Sequence, residues 1–317
     1  MIGLKKKHLL TLLLMAGCVG GGHASAFRSL PVRYSQSHAY SVVVLTNWGG
    51  NPPGANDWSC KPSARHPRPV VLVPSTFTSM AVDWDTLSPY LVNKGYCVFS
   101  LNYGQSPFIW PGLVGVGATD NSVAELADFV ARVQSATGAS QVDMVGHSQG
   151  GMISRLYIEY GGGAKRVHAL VLLVSPSDLA KGVSAGAFID LMLAALPPFI
   201  KEAIAGISAA TLPGIGAWAS AEFWQKLNAV DHGFPAPVEY TGVASRTDEG
   251  YATTVVSYDL PAAANTSRTN FVQDYCFLAF PTHFQMPFSP PAVDLIGNAL
   301  DPSHAIKPRC IAPLQLL

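Results

Sequence analysis

Charge is scarce in this chain. Only 13% of its 317 residues are Asp, Glu, Lys or Arg, and 20 basic residues balance 20 acidic ones. An average soluble domain carries about 25%. With no basic excess there is no electrostatic footprint for nucleic acid. The one cationic run, Lys5-Lys6-Lys7, sits at the N-terminus, and the remaining charges are scattered. Cysteine is sparse as well. None of the five cysteines stands in Cys-x-x-Cys spacing, so no zinc site is expected, and no motif asks for another metal or a cofactor. Internal repeats are missing, which excludes a repeat architecture.

The N-terminus reads as a leader. Lys5 to Lys7 form a positive segment, Leu9 to Val19 an apolar one, and Ala24-Ser25-Ala26 a small-residue cleavage site. That is the pattern of a signal peptide over residues 1–26. Its apolar stretch falls short of the roughly 20 residues a spanning helix needs, so no transmembrane segment is expected. Secretion is the first expectation. Met15-Ala16-Gly17-Cys18 leaves open an outer-membrane lipoprotein anchored through Cys18. The four other cysteines, Cys60, Cys97, Cys276 and Cys310, suit two disulfides in an oxidising compartment. Three pairings are possible, and sequence neighbourhood favours Cys60–Cys97 with Cys276–Cys310.

Mean hydropathy is +0.25, which the leader, a large core and apolar surface toward an oily substrate can each raise. The apolar runs have a definite form. Val70 to Val73, Tyr96 to Leu101, Gln141 to Val145, Val167 to Val174 and Val238 to Ala244 are continuous rather than alternating. Strands buried on both faces of a parallel sheet read this way. Helices are expected between them, over Asp83–Lys94 before Gly95, over residues 121–137 with Val123, Leu126, Ala127, Val130 and Val133 at helical spacing, and over residues 151–160 before Gly161-Gly162-Gly163. Alternating strands and helices predict one α/β domain over residues 27–317, with a mostly parallel central sheet. Residues 179–237 break the rhythm. They read as short helices inserted between two strands, either a cap or lid over a site or plain packing helices. Leu191, Leu193, Leu196, Phe199, Ile200, Ile204, Ile207 and Leu212 make the insertion apolar.

The sharpest signal is Gly146-His147-Ser148-Gln149-Gly150. It follows a buried-strand pattern and precedes a helical one, the context of a nucleophile elbow in the α/β-hydrolase fold. Ser148 is then the candidate nucleophile, with Gly146 and Gly150 sparing the turn two side chains. A serine hydroxyl needs a base, and the chain order of this fold is nucleophile, acid, histidine. Asp248, just beyond the strand ending near Ala244, is the candidate acid, with Glu249 and Asp178 as rivals. Only His283 and His304 follow it, and His283, amid apolar residues, is preferred as base. His147 is read as packing or hydrogen-bonding locally. The oxyanion hole needs two N–H donors. Gln149 supplies one. Thr76, on the loop after Val73, is placed as the other, with Phe77 second and the Thr76 hydroxyl as an extra donor.

Further marks are Asp57-Trp58-Ser59-Cys60-Lys61-Pro62, Gly95-Tyr96-Cys97-Val98-Phe99, Asn102-Tyr103-Gly104, Glu239-Tyr240-Thr241 and Arg246-Thr247-Asp248-Glu249. With the elbow and Pro69 to Val73, they span Pro53 to Pro302. Together they resemble the secreted bacterial lipases and esterases of lipase class 2, and more distantly the yeast lipase B type. The resemblance implies an ester hydrolase with a triad at Ser148, Asp248 and His283, and disulfides like the two above. Pro74-Ser75-Thr76 stands where that family usually has His-Gly-Thr, and Gly250-Tyr251 where it favours two valines. A triacylglycerol lipase is the first expectation and a short-chain esterase the second, with a lipid or small ester as substrate and a monomer favoured. A secreted binding protein on the same scaffold is the non-enzymatic alternative.

Overall fold

A computed structural model describes residues 29–105, 113–195, 201, 212–218, 220–262, 265, 266 and 268–311. Residues 1–26, where a leader is expected, lie outside these, Cys18 included, as do Leu196, Phe199, Ile200, Ile204 and Ile207 of the insertion.

Six strands form the central sheet: β1 (Val70–Val73), β2 (Val98–Ser100), β3 (Val142–His147), β4 (Val167–Leu173), β6 (Glu239–Ala244) and β8 (Asn270–Phe271). Their spatial order is β2-β1-β3-β4-β6-β8, and every pairing is parallel. The continuous apolar runs have the predicted cause. Val70 and Leu72 of β1 enter the core on one face of the sheet, while Val71 and Val73 enter the core on the other. All four are wholly buried. Asn270–Phe271 carries no readable strand signal, because a two-residue edge strand has no period.

Helices cover both faces. The helix predicted over residues 121–137 runs Thr119–Thr137, burying Leu126, Val130 and Val133 and ending at Gly138 in the left-handed region. The helix predicted over Asp83–Lys94 is instead two pieces, Met80–Asp83 and Leu87–Asn93. The break falls where the Asp83 carboxylate turns inward to the backbone of Ser75 and the ring of His147. Pro290–Leu300 closes the same face as Leu87–Asn93.

Both favoured disulfides are present, Cys60–Cys97 and Cys276–Cys310. The first fastens the Gly- and Pro-rich loop before β1 to the start of β2. The second fastens the chain beyond Pro290–Leu300 to the segment leading to His283.

The insertion holds the α-helices Ala185–Ala195, Pro213–Trp218 and Ala221–Leu227. It opens with β5 (Asp178–Leu179), which pairs antiparallel with β7 (Val256–Ser257). Arg155, from the helix Gln149–Tyr160, anchors both of its ends. Its guanidinium is fully buried and donates to the carbonyls of Pro176, Ser177, Leu227, His232 and Gly233 and to Asn228 Oδ1. Burial pulls its pKa down to about 10. Leu212, Ile215 and Trp218 pack into the main core. Among the described residues no helix is long and apolar enough to cross a membrane.

Candidate active site

β3 ends at His147, and Ser148 turns the chain directly into the helix Gln149–Tyr160. Ser148 takes φ 52° and ψ −122°, a conformation that costs a non-glycine residue roughly 1–3 kcal/mol. The surroundings hold it there. Ser148 N–H donates to Leu173 O at 3.0 Å and Gly151 N–H to Ser148 O at 3.0 Å. The flanking glycines are steric necessities. A Cβ on Gly146 would lie 2.5 Å from Gly151 Cα, and one on Gly150 would lie 2.2 Å from Val73 O. Strand-to-helix geometry thus places the Ser148 side chain beyond the carboxyl end of β3, beside a helix N-terminus.

Asp248 and His283 arrive from two other strand ends. Asp248 follows β6 and is fully buried; His283 opens the short helical segment His283–Phe288 after β8 and is 3% exposed. His283 Nδ1 lies 2.6 Å from Asp248 Oδ2. The other carboxylate oxygen accepts the Gly250 N–H at 2.9 Å and the Tyr258 hydroxyl at 2.6 Å. Burial would raise the Asp248 pKa, but the charge and hydrogen bond of His283, with Tyr258 and Gly250, hold it below the usual carboxylate range. Burial would lower the His283 pKa, but Asp248 first, then Glu249 and Asp83, bring it above the ordinary imidazole value. His283 Nε2 is buried and makes no hydrogen bond among the described residues, Ser148 included. The His283 ring packs on that of His147, the residue before the elbow serine, with centroids 5.2 Å apart. One cluster therefore holds the Ser148 turn, His283 and Asp248.

The rivals fall elsewhere. Glu249 accepts the backbone N–H of His283 through Oε2 at 2.9 Å, so it braces the histidine loop and does not face the ring's Nδ1. Asp178 is exposed and bonds the neighbouring Leu179 N–H. His304 is exposed and bonds Asp301. His147 does not bond locally: its Nδ1 meets Asp83, 64 positions away, at 2.9 Å.

The loop after β1 supplies the remaining parts. Phe77 N–H donates to Val114 O at 3.0 Å, which removes it as a donor to substrate. The backbone N–H groups of Thr76 and Gln149 donate to no acceptor among the described residues. The Thr76 hydroxyl is committed to Gln149 Oε1 at 2.7 Å, and Gln149 Nε2 donates to Gly115 O at 3.0 Å. These bonds tie the two candidate donors together. Gly115 is required here, since a Cβ would meet Gln149 Oε1 at 1.9 Å. Of the two departures noted in the sequence, Ser75 turns its hydroxyl to Thr78 Oγ1 at 3.2 Å. Gly250 sends its N–H to Asp248, while Tyr251 stacks on Tyr258 at 6.1 Å. Sequence reasoning missed Asp83 and Tyr258, for which no local motif speaks. Among the described residues no group of three or more His, Cys, Asp or Glu is placed to hold a metal ion.

Solved structures similar to this chain include two lipases. Lipase B of Aspergillus fumigatus superposes with a TM-score of 0.54 at 19% identity, over 82% of this chain and 56% of its own length. The chain thus spans little more than half of that protein. BlEst2, a lipase of Bacillus licheniformis in its mature form, gives a TM-score of 0.53 at 16% identity, over 79% of this chain and 99% of its own. At such identities the likeness is one of fold. No curated protein sequence matches the chain. Residues 67–279 match the lipase (class 2) family, and with well over half of its length inside that match, the chain belongs to this family.

Proposed function

We propose that the protein hydrolyses carboxylic esters through a covalent acyl-enzyme on Ser148. The observation that carries this reading is the His283 Nδ1–Asp248 Oδ2 contact of 2.6 Å, packed beside a strained serine turn with two uncommitted N–H groups near it. His283, its Nε2 free to accept, takes the Ser148 proton as the hydroxyl attacks the ester carbonyl. Asp248 fixes the ring with its proton on Nδ1 and stabilises the imidazolium that forms. The N–H groups of Thr76 and Gln149 receive the oxyanion, a contribution worth roughly 3–4 kcal/mol per donor. The alcohol leaves with the proton from His283, and water, activated by the same base, cleaves the acyl-enzyme. A serine–histidine hydrogen bond that is loose without substrate is common in such enzymes and closes in the complex.

The substrate reading is an ester with an apolar acyl chain, triacylglycerol before short-chain esters. Phe277, Leu278 and Phe280 are 79%, 60% and 51% exposed on the loop before His283, an apolar surface where most soluble proteins keep polar groups. A shallow groove lined by Phe280, Pro281, Phe288 and Pro290 adjoins that loop. The insertion acts as a cap in this reading. Ala185–Ala195 packs against Glu249–Ala252, next to Asp248, and Pro213–Trp218 against the segment around Gly115. The two disulfides support export to an oxidising compartment. Hydrolysis of p-nitrophenyl butyrate and of emulsified long-chain triglyceride, by the wild type and Ser148→Ala, tests the proposal. Both substrates should turn over, and only in the wild type. Butyrate hydrolysis alone means a short-chain esterase, and an active variant removes Ser148 from the mechanism.

A further inference from the structure

Asp83 takes no part in the acyl transfer outlined above, yet it touches both halves of the site. It ends the helix Met80–Asp83 and is 1% exposed. Its Oδ2 accepts the backbone N–H of Ser75 at 2.7 Å, one residue before Thr76. The same carboxylate meets His147 Nδ1 at 2.9 and 3.0 Å, one residue before Ser148. A carboxylate only accepts, so Nδ1 carries the proton. The His147 ring is fully buried, its Nε2 has no partner among the described residues, and it is enclosed by Trp84, Phe284 and His283. Polar groups so deep cost stability unless their bonds are made, and an apolar core could fill this space without them.

We propose that Asp83 and His147 are a positioning pair, pinning the loop that presents Thr76 to the strand that presents Ser148 and so fixing the separation of the Thr76 and Gln149 N–H donors. The inference rests on the reading of Ser148 as nucleophile. Hydrogen bonds to an ionised group are short and directional, and a displacement of about 1 Å at a reacting centre can cost about 100-fold in rate. The pair has a second effect that packing alone would not produce. The charged groups facing His283 are Asp248, Glu249 and Asp83, all acidic, and each favours the imidazolium. Removing the Asp83 charge therefore lets His283 lose its proton at lower pH.

The test compares Asp83→Asn, His147→Asn and His147→Phe in the full chain, by kinetics on p-nitrophenyl butyrate across pH and by thermal unfolding. Asp83→Asn keeps the shape without the charge. It should lose about 10- to 100-fold in kcat with KM nearly unchanged, and its acid limb should move to lower pH. His147→Asn retains an N–H for Asp83 and should keep most of the wild-type kcat. His147→Phe retains only the ring and should fall with Asp83→Asn. Wild-type kcat and acid limb in folded Asp83→Asn, or equal kcat in the two His147 variants, overturns the proposal. Should Asp83→Asn fail to fold, the His147 pair decides. Ser148→Ala run alongside separates the two levels: activity retained there overturns the serine reading itself, whereas a dead Ser148→Ala beside an unaffected Asp83→Asn overturns only the positioning pair.

Discussion

Tyr258 donates its hydroxyl hydrogen to Asp248 Oδ1 at 2.6 Å, on the carboxylate oxygen that His283 leaves unused. The carboxylate is thereby held from behind and presents Oδ2 to the imidazole. Burial, and then the neighbouring charge of Asp248, push the phenol well above the ordinary tyrosine range, so the donor persists across the working pH range. A hydrogen bond to a charged group contributes about 1.5–3 kcal/mol. Tyr258→Phe should lower kcat about 10-fold or more with little change in KM, as measured by steady-state hydrolysis.

Asp248→Asn should be far more severe. The amide can offer an N–H to the ring in place of an acceptor, which favours the tautomer with its proton on the wrong nitrogen. A loss in kcat of about 10⁴-fold is expected. Glu249 braces the His283 backbone and acts on the ring only as a secondary charge, so Glu249→Gln should cost much less. Equal losses in the two variants would reverse the roles assigned to them.

The pH dependence follows from the His283 shift. Its pKa is raised above the model-peptide value of about 6.5, because Asp248 outweighs burial. Protonated imidazole cannot take the Ser148 proton, so kcat/KM should be lost as pH falls through a midpoint above about 6.5. Activity that stays flat down to about pH 4 would remove His283 as base.

Gly150→Ala should damage folding before chemistry. The new methyl would press on Val73 O and Pro74 O at 2.2 and 2.6 Å, both backbone atoms of β1 and its loop. Overpacking against backbone costs about 3 kcal/mol or more, which thermal or urea unfolding would register.

The sheet and the elbow were legible because each leaves a local trace. A doubly buried parallel strand is a continuous apolar run, as in Val70 to Val73, and the serine turn needs glycines at fixed offsets, as at Gly146 and Gly150. The proposed order Ser148, Asp248, His283 is read from the chain order of the fold. The rest depends on long-range contact. Nothing near His147 in sequence points to Asp83, 64 positions off, and the single helix expected over Asp83–Lys94 breaks because that carboxylate is drawn inward. Tyr258 reaches Asp248 only because β7 folds back along β5. The two-residue strand Asn270–Phe271 is too short to show a period and is set by its neighbour β6.

Reduction of the two disulfides should loosen the fold rather than stop the chemistry. Each closes a loop of 37 or 34 residues, for which the chain-entropy account gives about 4 kcal/mol. Cys276→Ser with Cys310→Ser should lower the unfolding midpoint while sparing kcat at low temperature, read by urea denaturation and ester hydrolysis on the same samples.

If Ser148 carries the acyl group, a fluorophosphonate ester should trap it covalently, and mass spectrometry of the treated protein reads that adduct. One adduct per chain is expected, located on the peptide holding Ser148, with hydrolysis lost in step with labelling. Labelling at another residue, or full inhibition with Ser148 unmodified, would contradict it.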